Sequence, residues 1–347
     1  MHDNLLNSKI VNIIQSYLIN DLKSIDAISG GMNSSVYKIT CSDKNEYIVK
    51  FYFSHPSDNR NRLETEFSAL QFLHLNNIVN VPKPLFKNKE YRFAIFEFFR
   101  GYKIKSESAT HSDVDQLIDF LYKLNRLKYN KKSLKLDNAS ESCFSIQEYI
   151  RIIQERLDRL DQLDRKKSTV YEMFYSYMNE KFIPAFFYIK RCYLSKFNCD
   201  HEIERHQKTI SPSDYGFHNA LRISNNQIKF LDFEYFGWDD PAKMICDFLL
   251  HPAMDLSFDL KQYYFSHIID LFEDSLLLKE RIIIVYPLVA LKWCMILLNE
   301  FVPEHLMRRH FSGYCKKNIE KKQKNQLKKS ELMLKKAVEA YERFPFR

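Results

Sequence analysis

An aspartate at 214, an asparagine at 219 and an aspartate at 232 are the residues of this 347-residue chain whose types and spacing could do chemistry together. The chemistry would be metal-assisted phosphoryl transfer. That reaction needs one carboxylate to accept the proton of an attacking hydroxyl, and oxygen ligands from two places to hold Mg²⁺ on nucleotide phosphates. The run Ser211 to Asn219, SPSDYGFHN, supplies the first carboxylate as Asp214 and an amide oxygen as Asn219. Behind it, Ala220 to Ile223, then Asn225-Asn226, then Ile228 to Leu231 read as strand, turn and strand. Such a hairpin returns Asp232 to the end where Asn219 sits. A lone D-x-x-x-x-N is common, and the alternative is a solvated loop before an ordinary hairpin. The order Asp, Asn, hairpin, Asp separates the two readings.

Other elements must bring a cation to the same phosphates. Ile28 to Ile39 reads as strand, glycine turn, strand, with Gly30, Gly31, Asn33 and Ser34 where backbone amides could approach a phosphate. The next strand, Glu46 to Phe53, alternates Tyr47, Val49, Phe51 and Phe53 on one face and sets Lys50 on the other with Ile48 and Tyr52. A lysine inside an apolar strand is costly unless an anion meets it, and either a phosphate or a glutamate would serve. The helix from Arg62 to Leu73 offers Glu66 beside the stripe Leu63, Phe67, Leu70 and Leu73, although an exposed helix glutamate is the plainer alternative. A strand from Tyr91 to Gly101 would follow. There the backbone of Glu97, Phe98 and Phe99 could meet an adenine edge, with Phe93, Ile95 and Phe98 as apolar walls. Five of the six glycines stand at these points: Gly30, Gly31, Gly101, Gly216 and Gly237.

With these residues in place the chain resembles the aminoglycoside phosphotransferase and choline kinase family, over about Ser24 to Pro252. The resemblance implies an α+β, two-lobed protein-kinase-like fold. Residues 1–97 would form a small antiparallel-sheet lobe that binds nucleotide, and 98–347 a larger, mainly helical lobe carrying the catalytic loop and acceptor-binding helices. It also implies ATP or GTP as donor, Mg²⁺ as cofactor and a small-molecule hydroxyl as acceptor (amino alcohol, aminoglycoside or sugar). Asp214 would be the base, Asn219 and Asp232 metal ligands, Lys50 and Glu66 the phosphate-binding pair, and Asp240 and Asp247 braces. The family usually has a histidine two residues before the catalytic aspartate, and this chain has Pro212 there. That departure keeps a nucleotide-binding pseudokinase, acting as a regulatory or interaction module, as the alternative. Asp255, Asp259, Tyr263, Tyr264, Asp270 and Trp293 could recognise an ammonium group, or could equally be surface and core.

Composition fits a cytoplasmic enzyme. Seven cysteines, an odd number with no C-x-x-C pair, read as reduced thiols. Asp3, Asn4, Asn7 and Lys9 interrupt the first apolar positions, which predicts an amphipathic helix from about Leu5 to Tyr17 in place of a leader. Ile282 to Leu298 approaches the length of a membrane span, but Pro287 and Lys292 break it and a buried helix is expected. The net charge of +8 gathers partly in Lys316 to Lys336. That stretch reads as the solvated face of a docked terminal helix in preference to a nucleic-acid or membrane patch. Neither histidine pair, His201 with His206 or His305 with His310, has the spacing to share a helix face and bind zinc. Further helices are expected at His111 to Leu127, Ile146 to Leu163 and Val170 to Lys196. The polar, lysine-rich stretch Lys128 to Ser142 is expected as a mobile insertion.

Overall fold

The computed structural model describes residues 6–28, 34–55, 58, 60–163, 168–311 and 319–346. In chain order its elements begin with α1 (Ser8–Leu18), β1 (Leu22–Ile28), β2 (Ser34–Cys41), β3 (Glu46–Tyr52), α2 (Arg62–Leu75), β4 (Pro84–Asn88), β5 (Phe93–Glu97) and β6 (Gly101–Lys103). Next come α3 (His111–Arg126), α4 (Ile146–Asp161), α5 (Thr169–Tyr177), a π-helical turn (Met178–Phe182) and α6 (Ile183–Lys196). Then follow β7 (Thr209–Ser211), β8 (Ala220–Ile223), β9 (Ile228–Phe230) and β10 (Gly237–Asp239). The chain ends in α7 (Pro241–Leu250), α8 (Phe258–Ile269), α9 (Ser275–Leu297), α10 (Pro303–Phe311) and α11 (Ile319–Glu342). They divide into two compact units, one of residues 1–104, 219–236 and 304–317, the other of 105–218, 237–303 and 318–347.

The first unit is built on an antiparallel sheet of five strands in the order β1-β2-β3-β5-β4. Its period-two alternation sorts the side chains as the sequence predicts. Val49 and Phe51 of β3 pack with Tyr37, Ile39, Phe93 and Ile95 under Ile10 and Ile14 of α1. Lys50 and Tyr52 turn to the other face, the one α2 covers through Phe67 against Phe96. Phe93 and Ile95 are therefore fully buried core residues on the α1 side, which corrects the expectation that they line an adenine pocket. The alternation that takes Lys50 to one face takes its pairing partners' neighbours to the other. The hairpin β8–β9 forms as expected, and Asn226 takes the positive φ of 61° that its turn needs.

The second unit is mainly helical. At its centre lies α9, long and apolar enough by composition to cross a membrane but mostly buried by neighbouring helices such as α4, α7 and α11. Pro184 comes just after the π-helical turn, within a continuous helical run from Thr169 to Lys196, so its missing N–H falls where that turn has already shifted the hydrogen-bond ladder. The expected mobile insertion is instead fastened. Two 3₁₀ turns form within Leu127–Lys135, Trp238 donates its indole N–H to Ser133 O at 2.9 Å, and Asp137 and Ala139 exchange backbone hydrogen bonds with Trp238. Gly237 permits that approach, since a Cβ there would sit 2.5 Å from Ala139 N. The described cysteines are all free thiols.

Candidate active site

In the first unit one lysine gathers three carboxylates. Lys50 Nζ lies 2.7 Å from Glu66 Oε2, 2.7 Å from Asp232 Oδ1 and 3.5 Å from Glu234 Oε2. Glu66 is fixed at both oxygens, accepting from Tyr52 OH at 2.8 Å and from Phe233 N–H at 3.2 Å. Burial alone would lower the Lys50 pKa, but the charges of Asp232, Glu66 and Glu234 hold it well above the usual lysine range. Glu234 is pushed up from its ordinary value, first by burial and then by the charge of Asp232, against the pull of Lys50 and Arg62. Sequence reasoning missed Glu234. Its signal was the D-x-E spacing after Leu231, which puts both carboxylates on the same segment returning from the hairpin.

Asp232 takes a positive φ of 67°, a conformation few aspartates adopt and one that turns its side chain toward Lys50. Asn219 sits at the same end of the hairpin, because its carbonyl accepts the N–H of Leu231 at 2.8 Å. Carboxylate oxygens of Glu66, Asp232 and Glu234 all lie within 4.8 Å of one another. Three carboxylates around one ammonium leave a surplus of negative charge and hard oxygen donors, the donor chemistry that suits Mg²⁺.

Other expected nucleotide contacts are distributed as follows. Gly30, Gly31 and Asn33 lie outside the described residues, and Ser34 is buried at the start of β2 opposite Tyr52. The Glu97 amide is engaged with Lys83 O at 3.0 Å, so only Phe98 and Phe99 lie past the end of β5. Each carries a lysine over its ring, Lys38 at 4.9 Å and Lys229 at 4.7 Å.

In the second unit Asp214 follows a tight turn. Its N–H donates to Pro212 O at 2.9 Å across Ser213, whose φ is 66°, a γ-turn of the strained kind. Ser211 Oγ accepts the Ser213 N–H at 2.9 Å. Two histidines then meet the carboxylate: His218 Nε2 at 2.9 Å and His251 Nε2 at 3.4 Å from Asp214 Oδ1. Their rings stack at 4.0 Å with 8° between planes, and His251 meets the edge of Trp293 at 4.6 Å. Ala253 N–H donates to His251 Nδ1, so the His251 proton sits on Nε2, facing Asp214. Burial opposes the Asp214 charge, yet the two imidazoles hold its pKa well below the usual carboxylate range. His251 is itself lowered, first by burial and also by His218, so it meets Asp214 as a neutral donor. Gly216, at φ 145°, leaves room for His218 and Met254, which a Cβ would meet at 3.1 and 2.8 Å. Sequence reasoning gave neither histidine a role. His218 stood inside the motif, whereas His251 is brought back by α7 from far along the chain.

Beneath this cluster lies a buried ionic layer. Asp240 caps α7 and binds Arg281 at 2.7 Å, while Asp247 holds Lys292 at 3.0 Å, Lys243 at 3.1 Å and the Trp293 indole N–H at 2.9 Å. Trp293 thus links Asp247 to His251. Of the other residues that could recognise an ammonium group, three have these partners. Tyr264 is buried against Tyr215, Tyr263 donates to Asp115, and Asp259 pairs with His111.

Residues 24–173 match the model of the phosphotransferase enzyme family. That match includes Lys50, Glu66 and the strand to Glu97 and ends before Asp214. Among solved structures, an ethanolamine kinase from Plasmodium vivax is similar over 95% of this chain and 86% of its own, at 17% identity and a TM-score of 0.60. The choline kinase LicA from Streptococcus pneumoniae is similar over 95% and 100%, at 16% identity and a TM-score of 0.62. A spectinomycin phosphotransferase, solved with ADP and spectinomycin, covers 92% and 97% at 12% identity with a TM-score of 0.64. The curated relative "altered inheritance of mitochondria protein 9, mitochondrial" from Meyerozyma guilliermondii is 26% identical over 140 residues, 35% of this chain. The chain spans about 23% of that relative's length. The resemblance read from the sequence therefore holds: residues 24–173 match the phosphotransferase enzyme family, and nearly the whole chain has the two-lobed, protein-kinase-like fold of aminoglycoside phosphotransferases and choline and ethanolamine kinases.

Proposed function

We propose that the protein transfers the γ-phosphoryl group of ATP or GTP to a hydroxyl of a small molecule. The observation that carries this reading is Lys50 held at 2.7 Å by both Glu66 and Asp232. A buried lysine with more carboxylate than it needs is poised to exchange one partner for phosphate oxygen. Glu66, tied down by Tyr52 and Phe233, stays in place and keeps the ammonium aimed. Asn219 and Asp232 are the residues to hold Mg²⁺, with Glu234 as a further oxygen donor. Mg²⁺ would there neutralise the charge of the phosphates and fix their geometry.

Asp214 accepts the proton of the attacking hydroxyl. His218 and His251 fix the orientation of its carboxylate and keep it ionised, and in doing so take the bracing role of the histidine absent at 212. Catalysis is then mainly positioning and charge neutralisation. Residues 1–97 are assigned to nucleotide binding and 98–347 to the catalytic loop, the Mg²⁺ ligands and the acceptor, an amino alcohol, aminoglycoside or sugar, in the cytoplasm. Purified protein given Mg-ATP and a pooled metabolite extract tests the reading by mass spectrometry. A metabolite gaining one phosphoryl unit supports it. A thermal shift with Mg-ATP and no phosphorylated product would favour a nucleotide-binding module.

A further inference from the structure

The second unit carries an apolar stripe that its own core leaves uncovered. Along α6, Pro184, Phe187, Tyr188, Arg191 and Leu194 recur at spacings of three, one, three and three residues and so share one face. That face points outward: Phe187 is 47% exposed, Tyr188 54% and Leu194 52%. The opposite face, with Phe186, Ile189 and Tyr193, is buried. Lys190 and Lys196 fall on either flank of the stripe and Arg191 within it, and α6 contains no acidic residue at all. Cations flanking an exposed aromatic and aliphatic strip are the pattern of a helix lying in a membrane interface.

A second helix extends the same surface. α11 reaches this region through side chains, with Lys181 of the π-helical turn pairing Glu331 at 3.1 Å, Tyr188 of α6 meeting Tyr341 at 6.1 Å and Lys196 of α6 meeting Tyr341 OH at 3.3 Å. Its buried face, with Leu327, Leu334 and Ala337, packs on the core. The exposed remainder carries Leu332, 55% exposed, among Lys328, Lys329, Lys335 and Lys336. Across its length α11 has seven lysines against four glutamates. The lysines of α11 are thus near the exposed Phe187, Tyr188 and Leu194 of α6.

We infer that the α6–α11 face docks on the surface of an anionic bilayer, with Phe187, Tyr188 and Leu194 entering the headgroup boundary and the lysines meeting lipid phosphates. Charge complementarity chooses this occupant over a second copy of the chain, since two such basic faces would repel. The contiguous phenylalanine and leucine side chains choose it over nucleic acid, which would leave them in water. The inference does not depend on the phosphotransfer reading.

The test uses the full-length protein and vesicles, either of phosphatidylcholine alone or of equal parts phosphatidylcholine and phosphatidylglycerol, in a flotation assay. The protein is expected to float with the mixed vesicles, to stay behind with the neutral ones, and to be released by high salt. Lys328→Glu/Lys335→Glu should weaken binding at least about 25-fold, from roughly fivefold for each lysine near an anionic surface, the equivalent of ~1 kcal/mol. Phe187→Ser/Leu194→Ser should abolish flotation while its melting temperature stays near wild type, because both positions are exposed. Wild-type protein left behind by the mixed vesicles would overturn the inference. So would a dimer in sedimentation analysis that Phe187→Ser/Leu194→Ser dissolves, or tighter binding to a single-stranded oligonucleotide than to the mixed vesicles.

Discussion

Replacing Lys50 with methionine keeps a long side chain in β3 and deletes its charge. Three carboxylates, Glu66, Asp232 and Glu234, would then lie within 4.8 Å of one another with their shared cation gone. At an effective dielectric of about 20, two charges at that separation repel by about 3.5 kcal/mol. Asp232 is 34% exposed and partly screened, so the main cost falls on Glu66 and Glu234, whose side chains are 5% and 1% exposed. Losing one partner of a buried pair costs about 3–5 kcal/mol, and the variant should lose that much stability near pH 8. Glu234, already pushed above its ordinary value of 4.5 by burial and by the charge of Asp232, then loses the opposing pull of Lys50 and holds a proton in the folded state that the unfolded chain releases. Folded-state pKa raised means stability present at low pH and lost as pH rises through the raised value. Chemical denaturation between pH 8 and pH 6 should therefore show the variant recovering by about 1.4 kcal/mol per pH unit below that value. Millimolar Mg²⁺ should raise its melting temperature more than that of wild type, because the ion replaces the missing charge. A variant as stable as wild type at pH 8, or destabilised by the same amount at every pH, would refute the electrostatic account of this cluster.

Other outcomes follow from the same geometry. Gly237→Ala should destabilise by about 1–3 kcal/mol, since its Cβ would press within 2.6 Å of Asn138 C and push the 137–139 segment off β10; thermal unfolding and proteolysis at that segment read the effect. His251 is lowered from its ordinary 6.5, so the unfolded chain takes up a proton that the folded chain refuses. Stability should accordingly decline as pH falls below about 6.5, and His251→Asn should flatten that part of the profile. His218→Ala should lower kcat while leaving nucleotide affinity intact, measured by initial rates and by equilibrium binding of Mg-ATP.

What the sequence could reveal depended on how local the physics was. Lys50 was legible because β alternation alone decides its face, and the hairpin returning Asp232 was legible because its turn residues sit between two short apolar runs. Glu66 needed helix periodicity and a partner that wanted it, and both were visible. Phe93 and Ile95 were misassigned because alternation says only that two faces differ; which one is covered was decided by α1, distant in sequence. The fastening of Lys128 to Ser142 was hidden for a similar reason. Its polar composition speaks of solvent, whereas the hydrogen bonds that hold it come from Trp238, a hundred residues on. His251 is the clearest omission. Nothing near it in sequence marks it, and its role exists only because α7 ends where Asp214 can accept its hydrogen bond.

The most direct measurement compares wild type with Asp214→Asn in two readouts on the same preparations, turnover of a phosphorylatable acceptor and equilibrium affinity for Mg-ATP. The amide keeps the shape of the side chain and removes its capacity to take a proton. The account predicts turnover reduced by about 10²–10⁴-fold with nucleotide affinity unchanged. Turnover at the wild-type rate in Asp214→Asn would contradict it.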